Sequence, residues 1–400
     1  MKIDTDIKKI EEFFTRGIEN IFPNAEFLRK KLLSGERQTI YLGIDPTGPT
    51  LHMGHAVVLK KLRDLQNLGH KIILLLGDFT ATIGDPDKLS VRKPLTRRQV
   101  LNNARDYKKQ ASRFLKFGWN GAELKYNSKW LAKLSFEELL GLSSHLTYAQ
   151  IIKRSMFQER LKQDKDIYLN EFLYPLMQGY DSVVMDVDGE IGGNDQVFNM
   201  LVGRDLLKKI KNKEKFVIGT KLLVDPTGLK MGKTTGNMIT MKDSPDEMFG
   251  KVMSWPDSLI LLGFELCTDV SMEEIEKIKK EMSAGTNPRD IKVRLAKEVV
   301  KIYHSAEEAD RAEENFVKTF KEGGVPEQID EVKANSGELL SELAVKAGLV
   351  KSKGEFRRLV LEGAVSQMET NIKISDVNEK VTTTGVFKIG KRRFLKIILS

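Results

Sequence analysis

Apolar residues along this chain recur with two different periods, and the change of period marks the elements. Residues 39–44 (TIYLGI) and 71–77 (KIILLLG) are short, continuous apolar runs rich in β-branched and aromatic residues, the pattern of buried strands. Between them, Val57, Val58, Leu62 and Leu65 follow a helical period, with Lys60, Lys61, Arg63 and Asp64 opposite, which predicts a helix over 50–68. Strand, helix, strand implies a parallel βαβ unit and hence a doubly wound, Rossmann-like α/β sheet. Residues 4–33 read as amphipathic helices ended by Gly35, and 95–117 as a helix that Thr96 can cap. An inserted section of helices is expected over about 119–190, with a short strand at 124–126. A further strand is expected at 182–187, turning through Gly192-Gly193-Asn194-Asp195-Gln196 into a helix at 197–210.

The second half changes character. Residues 245–304 show helical stripes, such as Ile291, Leu295, Val299 and Ile302, and no strand runs. Ser271 with Glu274 has capping-box spacing, and Asn287-Pro288 places Pro at a first helical position. A helix near 306–320 runs into a Gly/Pro-containing stretch that reads as a linker, 323–335. The tail has its own helix, opened by Ser352 and Glu355 and stopped by Gly363, and strand-like pieces near 372–374, 385–389 and 393–398. The expected organisation is therefore a catalytic-type α/β domain at 1–225, a Gly-rich loop at 226–243, an α-helical domain at 244–322, the linker, and a small α+β domain at 336–400.

Composition narrows the class. In 400 residues, 40% hydrophobic and 30% charged is ordinary for a soluble globular protein. The apolar runs are far below the ~20 residues that cross a bilayer, and residues 1–14 have no signal-peptide core. A single cysteine, Cys267, gives neither a disulfide framework nor a metal cluster, so a cytoplasmic location is expected and no metal ligand set is assigned. Net charge is +9, and the tail contributes five of it, with twelve Lys or Arg against seven Asp or Glu. That excess, on a helix carrying Lys353, Arg357 and Arg358 and on Lys391-Arg392-Arg393, points toward phosphate contact.

Four stretches carry candidate chemistry. Asp45-Pro46-Thr47-Gly48-Pro49 ends the first strand, and His52 and His55 then fall together in or beside the first turn of the helix. Free N–H groups and partial positive charge at that turn, with two imidazoles, suit a polyphosphate. In doubly wound sheets ligands bind beyond the carboxyl ends of strands, where Asp45 and Asp78 lie. In FLYPLMQGYDS, Tyr174, Gln178 and Asp181 share a helix face, and buried polar groups need partners or a ligand. The stretch LLVDPTGLKMGKTT is one residue short of a Walker A loop and is followed by poor helix sequence, which argues against a P-loop.

These motifs bear a family resemblance. His52-Met53-Gly54-His55 resembles the HIGH motif of class I aminoacyl-tRNA synthetases, and Lys230-Met231-Gly232-Lys233-Thr234 resembles KMSKS, with Gly232 and Thr234 in place of its serines. LVKSKGEFRRLVLEGAV resembles an S4-type RNA-binding domain. HMGH, LYPLMQGYDS, GGNDQ, KMGKT and the S4-like tail all match bacterial tyrosyl-tRNA synthetases with a compact tail, over nearly the whole chain. The tryptophanyl enzymes are the nearest rival. A catalytically silent RNA-binding paralogue is the alternative from another class, and intact His52, His55, Lys230 and Lys233 count against it.

The resemblance implies roles residue by residue. His52, His55, Lys230, Lys233 and Thr234 would serve catalysis, and Asp45, Thr47, Gly54, Gly192, Asp195 and Lys233 would bind ATP. Tyr41 and Asp181 would read a tyrosine phenol, while Asp85, Tyr174, Gln178 and Gln196 would surround the rest of that amino acid. Lys353, Arg357 and Arg358 would contact tRNA. Mg²⁺ would travel with ATP, and a homodimer is expected.

Overall fold

The computed structural model describes residues 2–85, 94–224, 238–321, 330–368, 370, 372–390 and 393–399. It resolves into two compact units, Met1–Ser305 and Ala306–Ser400.

The first unit is built on a six-stranded sheet: β1 (Ile18–Phe22), β2 (Thr39–Ile44), β3 (Lys71–Leu76), β4 (Glu123–Tyr126), β5 (Gly189–Gly193) and β6 (Phe216–Thr220). Their order is β1-β6-β5-β2-β3-β4. Every neighbouring pair is parallel except β1 with β6. The expected doubly wound sheet is present, with one antiparallel edge added. Order reverses between β2 and β5, so the crevice at their carboxyl ends is where such a fold holds a ligand.

Several elements differ from expectation for definable reasons. Residues 4–33 are not all helix: β1 separates the helices Ile7–Thr15 and Ala25–Leu33. IENIF is too short to show a period, and its pairing with β6 decides it. The stretch at 95–117 is two helices, Arg97–Ala104 and Tyr107–Ala111, although Thr96 does cap the first. The strand at 123–126 belongs to the main sheet, parallel to β3, and not to an insertion. Residues 182–185 are not strand; they continue the helix Leu169–Met185 until Asp186, in a left-handed conformation, ends it. The strand lies further on, at β5.

The helix Leu169–Met185 packs along the helix Val197–Lys211, with Leu176, Val183, Val202, Leu206 and Leu207 forming their shared core. Among the described residues of the first unit, four α-helices follow the sheet: Pro245–Met253, Ile260–Cys267, Met272–Ser283 and Pro288–Tyr303. Caps by Ser271 and Asn287 appear as expected. These helices are bound to the sheet domain by buried polar contacts. Arg16 donates to the carbonyls of Phe264, Glu265, Thr268 and Val270, and Lys60 to that of Thr268.

The second unit starts with the helix Ala306–Lys321 and carries a second sheet. Its strands are β7 (Asp330–Ala334), β8 (Val365–Gln367), β9 (Ile372–Lys373), β10 (Gly385–Ile389) and β11 (Arg393–Leu399), ordered β7-β11-β10-β8-β9. β7 lies within the stretch expected to be linker and pairs parallel with β11. Its alternation is too short to stand out without that partner. Leu340, Leu343, Phe356, Val360, Ile389 and Leu395 are among its core residues.

Candidate active site

Alternation along β2 puts Tyr41, Gly43 and Asp45 on one face of a central strand. Tyr41 is fully buried, Asp45 sits half-buried at the strand end, and Gly43 is exposed in an otherwise covered strand. Lacking a side chain, Gly43 leaves open space between a phenol below and a carboxylate above. The sequence reading missed this role, and the strand register is what reveals it.

Opposite β2 runs the helix Leu169–Met185. Tyr174 donates to Asp45 Oδ2 (3.0 Å), and Thr80 to Asp45 Oδ1 (2.7 Å). Asn127 donates to Thr80 Oγ1 (3.1 Å) and to Asp181 Oδ2 (3.2 Å), and Trp130 Nε1 to Asp181 Oδ1 (2.7 Å). One contiguous network therefore joins Tyr174, Asp45, Thr80, Asn127, Asp181 and Trp130. Burial pushes the Asp181 carboxyl up, and its hydrogen bonds from Trp130 and Asn127 oppose that. Burial likewise pushes the phenols of Tyr41 and Tyr174 up, aided by the charges of Glu190 and Asp181 for the first and of Asp45 and Asp85 for the second. Both stay protonated donors.

A second network lies at the closed end. Tyr41 Oη is 3.0 Å from Ser182 Oγ, Lys215 Nζ donates to Ser182 Oγ (2.8 Å) and pairs with Glu190, and Gln178 Nε2 donates to Glu190 Oε1 (3.0 Å). At the mouth, Asp85 accepts from Arg154 (2.7 Å) and Gln196 (2.8 Å). Trp130, Asn127, Ser182, Lys215, Glu190 and Arg154 were not singled out from the sequence. Each is an unremarkable polar residue until the fold brings it against an expected one.

The helix Met53–Asn67 opens with His52 as its N-cap. His52 Nδ1 accepts from Gly54 N–H (3.1 Å), and His55 Nδ1 accepts from His52 N–H (3.2 Å). A neutral imidazole that accepts at Nδ1 carries its proton at Nε2. The ring centroids are 3.9 Å apart, so the two imidazoles stand against each other at a helix N-terminus. That arrangement suits an anion. The segment following the Gly-rich loop is stitched to this turn: Met53 N–H donates to Ile239 O and Met241 N–H to Leu51 O, both at 2.9 Å. Lys230, Lys233 and Thr234 lie outside the described residues. Thr47 and Asp195 are exposed just past the carboxyl ends of β2 and β5, and Gly192 is buried within β5.

Residues 33–321 match the model of the class I tRNA synthetases for tryptophan and tyrosine. The chain is 44% identical to a tyrosine–tRNA ligase of Carboxydothermus hydrogenoformans, covering 100% of this chain and 99% of that one. It is 41% identical to tyrosine–tRNA ligase 2 of Vibrio cholerae, covering 96% and 97%. The chain belongs to the class I tyrosyl-tRNA synthetases. Its reaction is tyrosine–tRNA ligation, and ATP is the family's co-substrate. The fold also matches a truncated mitochondrial tyrosyl-tRNA synthetase of Aspergillus nidulans (TM-score 0.65, 23% identity, covering 78% of this chain and 94% of that one). A tyrosyl-tRNA synthetase of Archaeoglobus fulgidus solved with L-tyrosine gives TM-score 0.60 and 23% identity, over 76% and 99%.

In the second unit, Lys353, Arg357 and Arg358 share the exposed side of the helix Lys353–Leu361, whose Phe356, Leu359 and Val360 are buried. Lys353 pairs with Glu342 and Arg358 with Glu362. Exposed pairs of this kind hold their partners weakly.

Proposed function

We propose that the crevice at the carboxyl ends of β2 and β5 activates L-tyrosine on ATP. The observation that carries this reading is the pair of hydrogen-bond networks that join Tyr174, Asp45 and Asp181 on one side and Tyr41 and Gln178 on the other, at the strand whose Gly43 is exposed. Tyr41 and Asp181 read the phenol, while Tyr174, Gln178, Asp85 and Gln196 hold the amino-acid backbone. Sites built to bond a substrate hydroxyl reject the analogue lacking it by roughly 10⁴–10⁵-fold, and tyrosyl-tRNA synthetases are themselves the standing example.

The tyrosine carboxylate attacks the α-phosphorus of ATP and pyrophosphate leaves. Charge develops on phosphate oxygens, where the imidazoles of His52 and His55 and the helix N-terminus donate, and where the ammonium groups of Lys230 and Lys233, with the Thr234 hydroxyl, supply further stabilisation of the leaving group. Asp45, Thr47, Gly54, Gly192 and Asp195 line the nucleotide. Asp45 and Asp85 already accept protein donors, which fits a Mg²⁺ carried in on the phosphates of ATP. Tyrosine then passes to the 3′ end of tRNA(Tyr). The helices of 244–322 meet the anticodon region, and Lys353, Arg357 and Arg358 of the S4-like domain contact phosphates.

A homodimer completes the reading. Phe136, Leu140, Tyr148 and Leu169 are large apolar side chains exposed between β4 and β5, at 75%, 55%, 67% and 84%. Such a concentration suits a self-complementary interface. The site of action is the cytoplasm, in keeping with a lone cysteine, the buried Cys267.

The test is ATP–pyrophosphate exchange without tRNA, comparing tyrosine, tryptophan and phenylalanine. Exchange with tyrosine alone supports the pocket assignment. A preference for tryptophan overturns the pocket, and no exchange from folded protein moves the reading to a silent RNA-binding paralogue.

A further inference from the structure

Beneath Tyr41 lies an ion pair that adenylation chemistry does not call for. Lys215 is fully buried and Glu190 is 2% exposed. Both are remote from solvent and neither is placed to act on phosphate. Burying two charges is costly, and a well-packed apolar pair is often as stable or more so. Stability alone is a poor reason for this pair, and its hydrogen bonds supply a better one.

The ammonium of Lys215 is donor-only, and it donates to Ser182 Oγ and to Glu190 Oε2. With one lone pair of Ser182 so used, its hydroxyl proton can go to Tyr41 Oη at 3.0 Å or to Glu190 Oε2 at 3.5 Å. The shorter contact is the stronger. Tyr41 Oη then accepts from Ser182, and a ligand in the space over Gly43 competes with the Glu190 carboxylate for the proton of Tyr41. Glu190 acts in the same way on Gln178. Its Oε1 accepts from Gln178 Nε2, so the side-chain carbonyl is the part of that amide left for a ligand. One buried pair thus sets the hydrogen-bond polarity of two groups assigned to the amino acid.

We propose that Lys215 and Glu190 are positioning residues for substrate specificity, holding Tyr41 as a donor toward the substrate phenol and Gln178 as an acceptor for its ammonium. The proposal rests on the tyrosine-pocket reading given above. Asp181, kept in place by Trp130 and Asn127, completes the phenol site by accepting the substrate's own O–H proton. In this arrangement each hydrogen bond around the phenol has a single direction, fixed from Lys215 outward through Ser182 and Tyr41.

The test compares the parent chain with Tyr41→Phe, Ser182→Ala and the double variant Lys215→Met with Glu190→Gln, which removes both charges at similar volume. Tyrosine- and phenylalanine-dependent pyrophosphate exchange and the KM for ATP are measured for each, with thermal unfolding as the check on folding. The double variant is expected to lose about tenfold or more in kcat/KM for tyrosine, with that for phenylalanine and the KM for ATP within about threefold of the parent. A general weakening of structure would lower both amino acids together. A tyrosine-to-phenylalanine ratio within about threefold of the parent overturns the proposal. If the double variant does not fold, Ser182→Ala cuts the same relay without touching the charges, and an unchanged ratio there overturns it equally. Tyr41→Phe separates the two levels. An unchanged ratio in Tyr41→Phe brings down the pocket reading, and the proposal with it. A collapsed ratio there, with an unchanged one in the relay variants, brings down the proposal alone.

Discussion

Gly54→Ala separates folding from nucleotide use. Gly54 is exposed in the first turn of the helix Met53–Asn67. A methyl group built there stands 3.0 Å from His52 Cε1 and 3.1 Å from His52 Nδ1, so the imidazole must give by a few tenths of an ångström. Alanine gains up to about 1 kcal/mol over glycine inside a helix, and less in an end turn. Crowding the ring threatens the bond from Gly54 N–H to His52, a cap worth about 1 kcal/mol. The two terms nearly cancel, so stability stays within about 1 kcal/mol of the parent. Nucleotide use does not share that balance. On the proposed site reading, the methyl group occupies the backbone face offered to ATP and moves a phosphate donor, and misplacement on that scale costs about 10–100-fold. Urea unfolding gives the stability, and pyrophosphate exchange at varied ATP gives kcat/KM for ATP. Tyrosine binding without ATP, by calorimetry, should be unchanged. An ATP kcat/KM equal to the parent's, in a normally stable variant, would refute the placement of ATP over this turn.

Three further outcomes follow from the structure. Burial, with the charge of Arg37, pushes the His70 imidazole from 6.5 down to about 4. Between those values the unfolded chain binds a proton that the folded one does not, so stability is full above pH ~6.5 and falls toward pH ~4 by about 3 kcal/mol; urea unfolding across that range should show a flatter profile in His70→Gln. Arg160 is 1% exposed and its Nη1 donates to both carboxylate oxygens of Glu171, so Arg160→Met strands a buried charge and should destabilise by about 3–5 kcal/mol, a loss of under 1 kcal/mol counting against it. Phe136→Glu with Leu140→Glu should convert a dimer to a monomer in analytical ultracentrifugation with circular dichroism unchanged, and a monomeric parent would remove the dimer reading.

The sequence by itself determined the parts whose cause is local. Continuous apolar runs made β2 and β3, helical spacing put Tyr174, Gln178 and Asp181 on one helix, and Thr96, Ser271, Asn287 and Ser352 capped where their backbone positions required. The signature residues were legible because imidazole and glycine at a strand-to-helix turn have chemistry of their own. Tertiary structure alone decided the rest. β1 and β7 exist through partners nearly 200 and more than 60 residues away, β6 and β11, and residues 182–185 stay helical because Val183 packs on the neighbouring helix. Trp130, Asn127, Arg154, Glu190 and Lys215 gain meaning from what they touch, and hydrogen bonds and buried charges act over a few ångströms in space. Spacing along the chain carries no record of that proximity, so the groups that orient the site became visible once the sheet had brought β2, β5 and the helix Leu169–Met185 together.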